Sequence, residues 1–303
     1  KMKILISGTI CKNKETVDKI KELGHTVFLV EDETLPLEKQ NDFLFVFDWV
    51  ICNGLFLYND ITKFSSLKAI QLTSAGLDRV PLRYIEERGI KLFAAAGVYS
   101  VPMAEFAVCG VLQLYKSSRF FYNNQKAKTW EKKRDLIELF GKTAAIIGCG
   151  NAGDECAKRF SAFGCDIVGV DIETKTSPLY SKIFPVSELE NVMKKSDIII
   201  LTLPLTDKTK KIVNADNLKR AKNGAVIVNI SRGGVLDTEA LTASLNSNLK
   251  GAVLDVFEDE PLPSSSPLWR MENVIITPHN AFVGDGNEKR LENIILSNLK
   301  KYG

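Results

Sequence analysis

Short apolar runs alternate with longer, helix-like segments along most of this chain. In the first third the runs are KILIS (3–7), TVFLV (26–30), FLFVF (43–47), WVICN (49–53), LKAIQL (67–72) and IKLFAA (90–95). Polar, amphipathic stretches such as 12–23 separate them. Continuous apolar runs joined by helices predict a parallel sheet covered on both faces. A long helical region follows over about 102–130, with Pro102 suited to its first turn and Ser100 near the cap. A second series then runs TAAIIG (143–148), DIVGVD (166–171), DIIILTLP (197–204), AVIVNIS (225–231), GAVLDVF (251–257) and NVIITP (273–278). Six strands with helical connections make a full doubly wound α/β domain. The remaining amphipathic helix, 287–300, is too little for a domain and is expected to pack back on the first third. The expected division is a discontinuous domain of 1–98 plus 281–303, and a second domain of 99–280 inserted in it. PLPSSSP (261–267) reads as a surface loop.

AAIIGCGNAGDECAKRF contains Gly148-x-Gly150-x-x-Gly153, placed after a strand and opening a helix. That context gives the spacing its meaning: Gly148 makes the tight turn, Gly150 lets the backbone approach a pyrophosphate, and Gly153 allows close helix–strand packing. Asp171 ends the next strand and is suited to accept hydrogen bonds from an adenosine ribose. Ile172 and Glu173 follow, with no arginine to receive a 2′-phosphate, which favours NAD over NADP.

Three strands of the second series end in polar groups: Arg232 in VIVNISRGGVLD, the acids Asp255, Glu258, Asp259 and Glu260 in VLDVFEDEPLP, and His279 in VIITPHN. Ligands of doubly wound sheets bind outside the carboxyl ends of the strands, so all three project towards the glycine-rich turn. Hydride transfer to a keto acid needs a cation for the carboxylate and a proton donor for the developing alkoxide. Arg232 offers a fixed, forked charge. His279 exchanges a proton near neutral pH. A carboxylate beside the imidazole holds its orientation and favours its protonated form, and Glu260 is the best placed, with Pro261 fixing the backbone beside it. Each residue has an ordinary alternative: a helix cap for Arg232, one of an acidic run for Glu260, a turn histidine for His279. Their coincidence at three strand ends favours the chemistry. His25, in ELGHTVFLV, reads as structural.

Composition narrows the picture. A chain of 303 residues is long for one core. A net charge of +3, from 40 basic and 37 acidic residues interspersed, argues against a nucleic-acid partner. No stretch approaches the roughly 20 apolar residues of a membrane span, and KMKILISGTI reads as a first strand rather than a signal peptide. The six cysteines form no C-x-x-C pair, so they read as small core residues of a reduced, cytoplasmic protein, and no metal site is expected.

GKTAAIIGCGNAG, LTLPLTDKTK, VNISRGGVLD, LDVFEDEPLP and TPHNA together resemble the D-isomer-specific 2-hydroxyacid dehydrogenases, in that family's order and spacing and over essentially the whole chain. The resemblance implies a Rossmann NAD-binding domain inserted in a flavodoxin-like substrate domain. It implies a catalytic trio of Arg232, Glu260 and His279, with Asp255 as a support. Implied cofactor contacts are Gly148, Gly150, Asn151, Ala152, Gly153, Asp171, Leu203, Pro204, Ile230, Arg232, Asp255 and His279. Implied substrate contacts are the backbone N–H groups of Ala75 and Gly76 in TSAGLD (73–78), Tyr99 and Arg232, with Phe56 or Leu57 shaping the pocket. A homodimer through about 102–140 is also implied. Two departures stand out: Ala152 where a bulky aliphatic residue is common, and Asn280 where a small or aliphatic one is usual. The loop CNGLFLYND (52–60) lacks the basic side chains a phosphorylated substrate would need. The expected activity is therefore NAD-dependent interconversion of a small D-2-hydroxy acid and its 2-keto acid, of the glyoxylate/hydroxypyruvate reductase (glycerate dehydrogenase) type. D-3-phosphoglycerate and D-lactate dehydrogenase are alternatives, and an NAD-sensing, corepressor-like interaction protein is the alternative of another class. Formate oxidation is disfavoured, because formate dehydrogenases of this superfamily lack the partner that Glu260 supplies.

Overall fold

A computed structural model describes residues 1–39 and 45–303. Its strands are β1 (Lys3–Ser7), β2 (Thr26–Val30), β3 (Trp49–Cys52), β4 (Ala69–Leu72), β5 (Lys91–Phe93), β6 (Thr143–Ile147), β7 (Asp166–Asp171), β8 (Lys182–Pro185), β9 (Ile198–Leu201), β10 (Val226–Asn229), β11 (Gly251–Leu254) and β12 (Val274–Ile276). Its α-helices are α1 (Lys14–Glu22), α2 (Leu55–Tyr58), α3 (Leu82–Glu87), α4 (Ser100–Tyr115), α5 (Ser118–Ala127), α6 (Asn151–Ala162), α7 (Leu189–Met193), α8 (Ala215–Arg220), α9 (Thr238–Leu245) and α10 (Asn287–Tyr302). They form two compact units, Lys1–Tyr99 with Gly284–Gly303, and Ser100–Val283.

The first unit holds a five-stranded parallel sheet in the order β2-β1-β3-β4-β5. Successive side chains of a strand face opposite ways. Ile4, Ile6, Trp49, Ile51 and Ala69 accordingly join one buried cluster, while Leu5, Val50, Cys52, Ile70 and Leu72 join the other. The first cluster also contains Val17 and Ile20 of α1, and Leu291, Ile295 and Leu299 of α10. Those three recur every fourth position and so share one stripe of the helix. Burying a side chain of this size stabilises by about 1.5–3 kcal/mol, enough for α10 to dock although some 180 residues of chain intervene. The α1–α10 contact also carries charge. Glu292 is buried and accepts from Thr16 Oγ1 at 3.0 Å, Lys19 Nζ at 2.9 Å and Lys289 Nζ at 2.7 Å.

The second unit holds a seven-stranded parallel sheet in the order β12-β11-β10-β9-β6-β7-β8. It too is covered on both faces. Ala144, Ile146, Ile198, Ile200, Val226 and Val228 meet the face that includes Ala104, Ala107 and Val111 of α4 and Phe160 of α6. Ala145, Ile147, Ile199, Leu201 and Ile227 meet the face of α7, α8 and α9. The order reverses between β6 and β9, which makes that gap the topological switch point.

Three expectations need correction. The second sheet has seven strands rather than six, because β8 pairs with β7 at the edge. It is four residues long, begins with an exposed lysine and ends in proline, so it offers no apolar run to read. The strand expected over 43–47 starts outside the described residues; its remainder, Phe45–Phe47, is irregular, with Phe45 at φ 49°. The helical region expected over 102–130 is two helices, broken at Lys116–Ser117 where Ser117 is left-handed. Five of the six cysteines are buried free thiols and Cys109 is an exposed one. Among the described residues no helix is long and apolar enough to cross a membrane.

The cluster around Glu292 makes a prediction. The Lys289 ammonium, with Lys19 and Thr16 also donating, holds its carboxyl at about 2, well below its ordinary 4.5. A depressed carboxylate stabilises the fold above its ordinary pKa, and that stability is lost as pH falls through the folded value. Glu292→Gln should therefore melt a few degrees below the wild type at neutral pH. The gap should close as pH drops from about 4.5 towards about 2. Thermal melts across that range test it; a gap independent of pH would remove the ion cluster from the docking of α10.

Candidate active site

The glycine-rich turn is built as its spacing predicts. β6 ends at Ile147, Gly148 turns the chain with φ 101°, and α6 starts at Asn151 with Gly150 as its cap. A Cβ on Gly153 would lie 2.3 Å from the Gly148 carbonyl oxygen, so only glycine lets the helix approach the strand end this closely. A Cβ on Gly148 would lie 2.8 Å from the Leu203 backbone nitrogen, so the turn also packs on the segment after β9. A Cβ on Gly150 would meet no atom of the described residues within 4 Å: this glycine faces open space. Open backbone at the amino end of a 12-residue helix, beside the switch point, fits a pyrophosphate.

Asp171, at the end of β7, accepts from the Cys149 N–H at 2.6 Å and the Glu173 N–H at 3.2 Å. It is tied to the glycine turn yet half-exposed, as a ribose acceptor must be. Asn151, Ala152 and Pro204 are exposed or half-exposed around the turn. Leu203 and Ile230 stand at the ends of β9 and β10, with their side chains buried in the two cores.

Arg232, Glu260 and His279 come from three neighbouring strands. In register, Asn229 of β10 lies beside Leu254 of β11, and Leu254 beside Ile276 of β12. Each of the three residues follows within a few positions of these ends. Buried Asn229 shapes the first turn: its Oδ1 accepts from the Ser231 N–H at 3.1 Å and its Nδ2 donates to the Arg232 carbonyl at 3.1 Å. One guanidinium nitrogen of Arg232 donates to the Ser231 carbonyl at 2.8 Å. Gly233 then crosses directly under the next turn, since a Cβ there would fall 1.8 Å from the Phe257 carbonyl carbon. The arginine turn and the acidic turn are thus in backbone contact.

Within the acidic turn, Glu260 accepts from the Phe257 N–H at 3.0 Å through Oε1 and meets His279 Nδ1 at 2.8 Å through Oε2. A carboxylate only accepts, so Nδ1 carries the proton of this bond. His279 has a left-handed backbone, φ 51°, uncommon for a residue with a side chain. Asp255 holds it there. It is 1% exposed and its carbonyl accepts from the His279 N–H at 2.7 Å. Its carboxylate accepts from Thr277 Oγ1 at 2.6 Å, the Asn280 N–H at 2.7 Å and the Ala281 N–H at 2.9 Å. Asp255, expected to touch the cofactor, spends both carboxylate oxygens on the histidine turn. Asn280, the departure noted above, contributes its N–H to that brace.

In the other unit, the Ala75 and Gly76 N–H groups make no hydrogen bond among the described residues, which leaves them available to an anion. The Tyr99 hydroxyl donates to the Thr73 carbonyl at the start of the same loop. Phe56 packs against Phe64 in the core, and Leu57 is exposed. His25 lies just before β2, where burial lowers its pKa, and among the described residues its Nδ1 has no hydrogen-bond partner.

A family model described as D-isomer specific 2-hydroxyacid dehydrogenase, NAD binding domain, matches residues 108–281. A D-3-phosphoglycerate dehydrogenase of Methanocaldococcus jannaschii is 31% identical over 99% of this chain, which spans 57% of that relative's length. A hydroxypyruvate reductase of Thermotoga maritima is 34% identical over 88% of this chain and 85% of its own. Among solved structures, a D-lactate dehydrogenase of Aquifex aeolicus complexed with NAD and lactic acid aligns over 99% of this chain and 95% of its own, with 25% identity and a TM-score of 0.77.

The brace on the histidine turn is open to test. Asp255→Asn places an amide N–H where backbone donors already point, and should cost about 2 kcal/mol of stability. Thr277→Val removes one donor and should cost about 1 kcal/mol. Denaturant unfolding of both variants measures this. Full stability of Asp255→Asn would mean that the turn is held by something else.

Proposed function

This chain belongs to the D-isomer specific 2-hydroxyacid dehydrogenase family, and from that premise we propose that Arg232, Glu260 and His279 carry its reaction, with glyoxylate or hydroxypyruvate as the keto acid. It is an NAD-dependent oxidoreductase. The observation that carries the assignment of residues is the 2.8 Å pair between Glu260 Oε2 and His279 Nδ1. It fixes the tautomer, so that Nε2 gives a proton in reduction and takes one in oxidation.

Gly148, Gly150 and Gly153 hold the pyrophosphate, and Asp171 holds the adenosine ribose, where its charge repels a 2′-phosphate. When bound, NADH supplies the hydride for the keto carbon. His279 delivers the balancing proton to the keto oxygen, so the carbonyl becomes an alcohol. Glu260 keeps the imidazole aimed and offsets its positive charge before the proton leaves. Arg232 binds the substrate carboxylate with its planar fork. Asp255 positions His279 through the turn rather than touching the reacting atoms. The loop 52–60 contains no lysine, arginine or histidine, which supports an unphosphorylated acid.

We also infer a homodimer through the segment 102–140. Trp130 is 96% exposed and Phe140 77%, with Tyr122 and Leu136 exposed nearby in sequence. Apolar surface of that extent on one segment suits a partner subunit.

NADH oxidation against glyoxylate, hydroxypyruvate, pyruvate and phosphohydroxypyruvate tests the substrate, with NADPH in parallel. Turnover of the first two with NADH is expected; turnover of the phosphorylated acid alone would replace this reading by phosphoglycerate chemistry. His279→Asn should lose about a thousandfold in kcat while still binding NADH. Arg232→Lys should lose at least about tenfold in kcat/KM despite keeping its charge, since the fork is gone. Full activity of either variant would strip that residue of its role. Trp130→Asp should shift the protein to monomer in sedimentation; an unchanged dimer would move the interface elsewhere.

A further inference from the structure

The glycine turn and the three strand-end residues occupy the carboxyl edge of the seven-stranded sheet. Its amino edge carries polar groups of its own. There a cavity of about 430 Å³ opens where four neighbouring strands begin. Lys142 precedes β6, Asp197 precedes β9, Asn223 lies in the turn before β10 and Lys250 precedes β11. All four line the cavity. The strands are adjacent and parallel in the order β11-β10-β9-β6, so the residues before them gather at one edge. Tyr115, the last residue of α4, and Ile137 complete the wall, joined by a hydrogen bond from the Ile137 N–H to the Tyr115 carbonyl at 3.1 Å.

Donors outnumber acceptors in this lining. Among the described residues Asp197 is its only carboxylate, and both of its oxygens are engaged. Oδ1 pairs with Lys222 Nζ at 2.7 Å and Oδ2 accepts from the Thr143 N–H at 3.0 Å. The half-buried Lys142 and Lys250 ammonium groups and Asn223 Nδ2 make no hydrogen bond or ion pair among the described residues. The Tyr115 hydroxyl makes none either, although the residue is only 2% exposed. Burial and the nearby Asp197 charge raise its pKa, so it remains a protonated donor. A buried hydroxyl left without a partner costs about 1–3 kcal/mol, which an incoming acceptor would relieve.

We propose that this cavity is a further ligand site, for a dianionic phosphate group. Two unpaired ammonium groups supply opposite charge, and lysine binds phosphate as a point charge. The Tyr115 hydroxyl and the Asn223 amide add neutral donors to the phosphate oxygens. A phosphate group carries close to two negative charges at pH 7, where a carboxylate carries one, so it matches the pair of lysines better. The site lies at the opposite edge of the sheet from the glycine turn, so its occupant does not compete with the cofactor.

Isothermal titration at constant ionic strength tests this, with NADH saturating so that the glycine turn is filled. The probes are inorganic phosphate, glycerol phosphate and acetate. One of the two phosphates should bind the wild type with a Kd of about 1 mM or below, and the tighter of them tells a free ion from an ester. Acetate should bind at least about tenfold more weakly. Lys142→Gln, Lys250→Gln and Tyr115→Phe should each weaken the phosphate about tenfold, as loss of a hydrogen bond to a charged group does. Arg232→Lys, at the other edge, should leave it unchanged. Melting curves establish folding, and Tyr115→Phe keeps the buried ring, so it decides alone if the lysine variants do not fold. Three outcomes overturn the site: a wild type that binds neither phosphate, acetate binding as tightly as phosphate, or a phosphate affinity that Tyr115→Phe and the lysine variants move less than about twofold.

Discussion

The site depends on one buried carboxylate. Asp255 has left water almost completely, and an unpaired charge at that depth is not tolerated; it must be matched by donors. The three it receives all come from residues 277–281. Its desolvation is thereby offset only when the chain after β12 turns in one way. That turn places His279 in a left-handed conformation, which a histidine adopts at some cost. The cost is met by the same bonds. The geometry of the histidine turn is thus a consequence of satisfying a charge in the core.

The sheet carries this precision to the other groups. Parallel strands in register end at a common edge, so residues a few positions past β10, β11 and β12 are neighbours without any specific attraction between them. Local devices then refine each turn. Asn229 closes the arginine turn through its own side chain, as asparagine does in tight turns. Gly233 removes the side chain that would otherwise separate the arginine turn from the acidic one. Positioning rests on packed backbone rather than on long, flexible side chains.

How far the sequence revealed this follows from the range of each interaction. Periodicity and turn chemistry are local, so β6, the glycine turn, α6 and the apolar strands of both sheets were legible. The three strand-end residues were legible because their positions relative to strand ends are local too. β8 was not, since an edge strand needs few apolar contacts and carries no distinctive run. Asn229 and Gly233 were missed for a different reason. Each acts through contacts with segments distant in sequence or through a turn whose shape depends on them. A glycine doublet after an arginine looks like an ordinary loop until Phe257 is seen crossing it.

The acidic turn shows how the structure chooses between candidates that composition leaves equivalent. Glu258, Asp259 and Glu260 are consecutive, and any of them has the right charge to support an imidazole. Glu258 is spent elsewhere: it accepts from the Thr238 N–H at 2.9 Å and pairs with Lys211 at 3.2 Å, which holds its carboxyl below the usual range despite partial burial. Asp259 makes no hydrogen bond or ion pair among the described residues and stays exposed. Glu260 alone is gripped from behind, by the Phe257 N–H on one oxygen, with the other directed to His279. A carboxylate held at one oxygen loses little further freedom when the second forms its bond, so its pairing with the imidazole is stronger than a free surface pair of the same length. The choice among three acids is therefore made by a single backbone amide, which directs one member of a charge run to the imidazole.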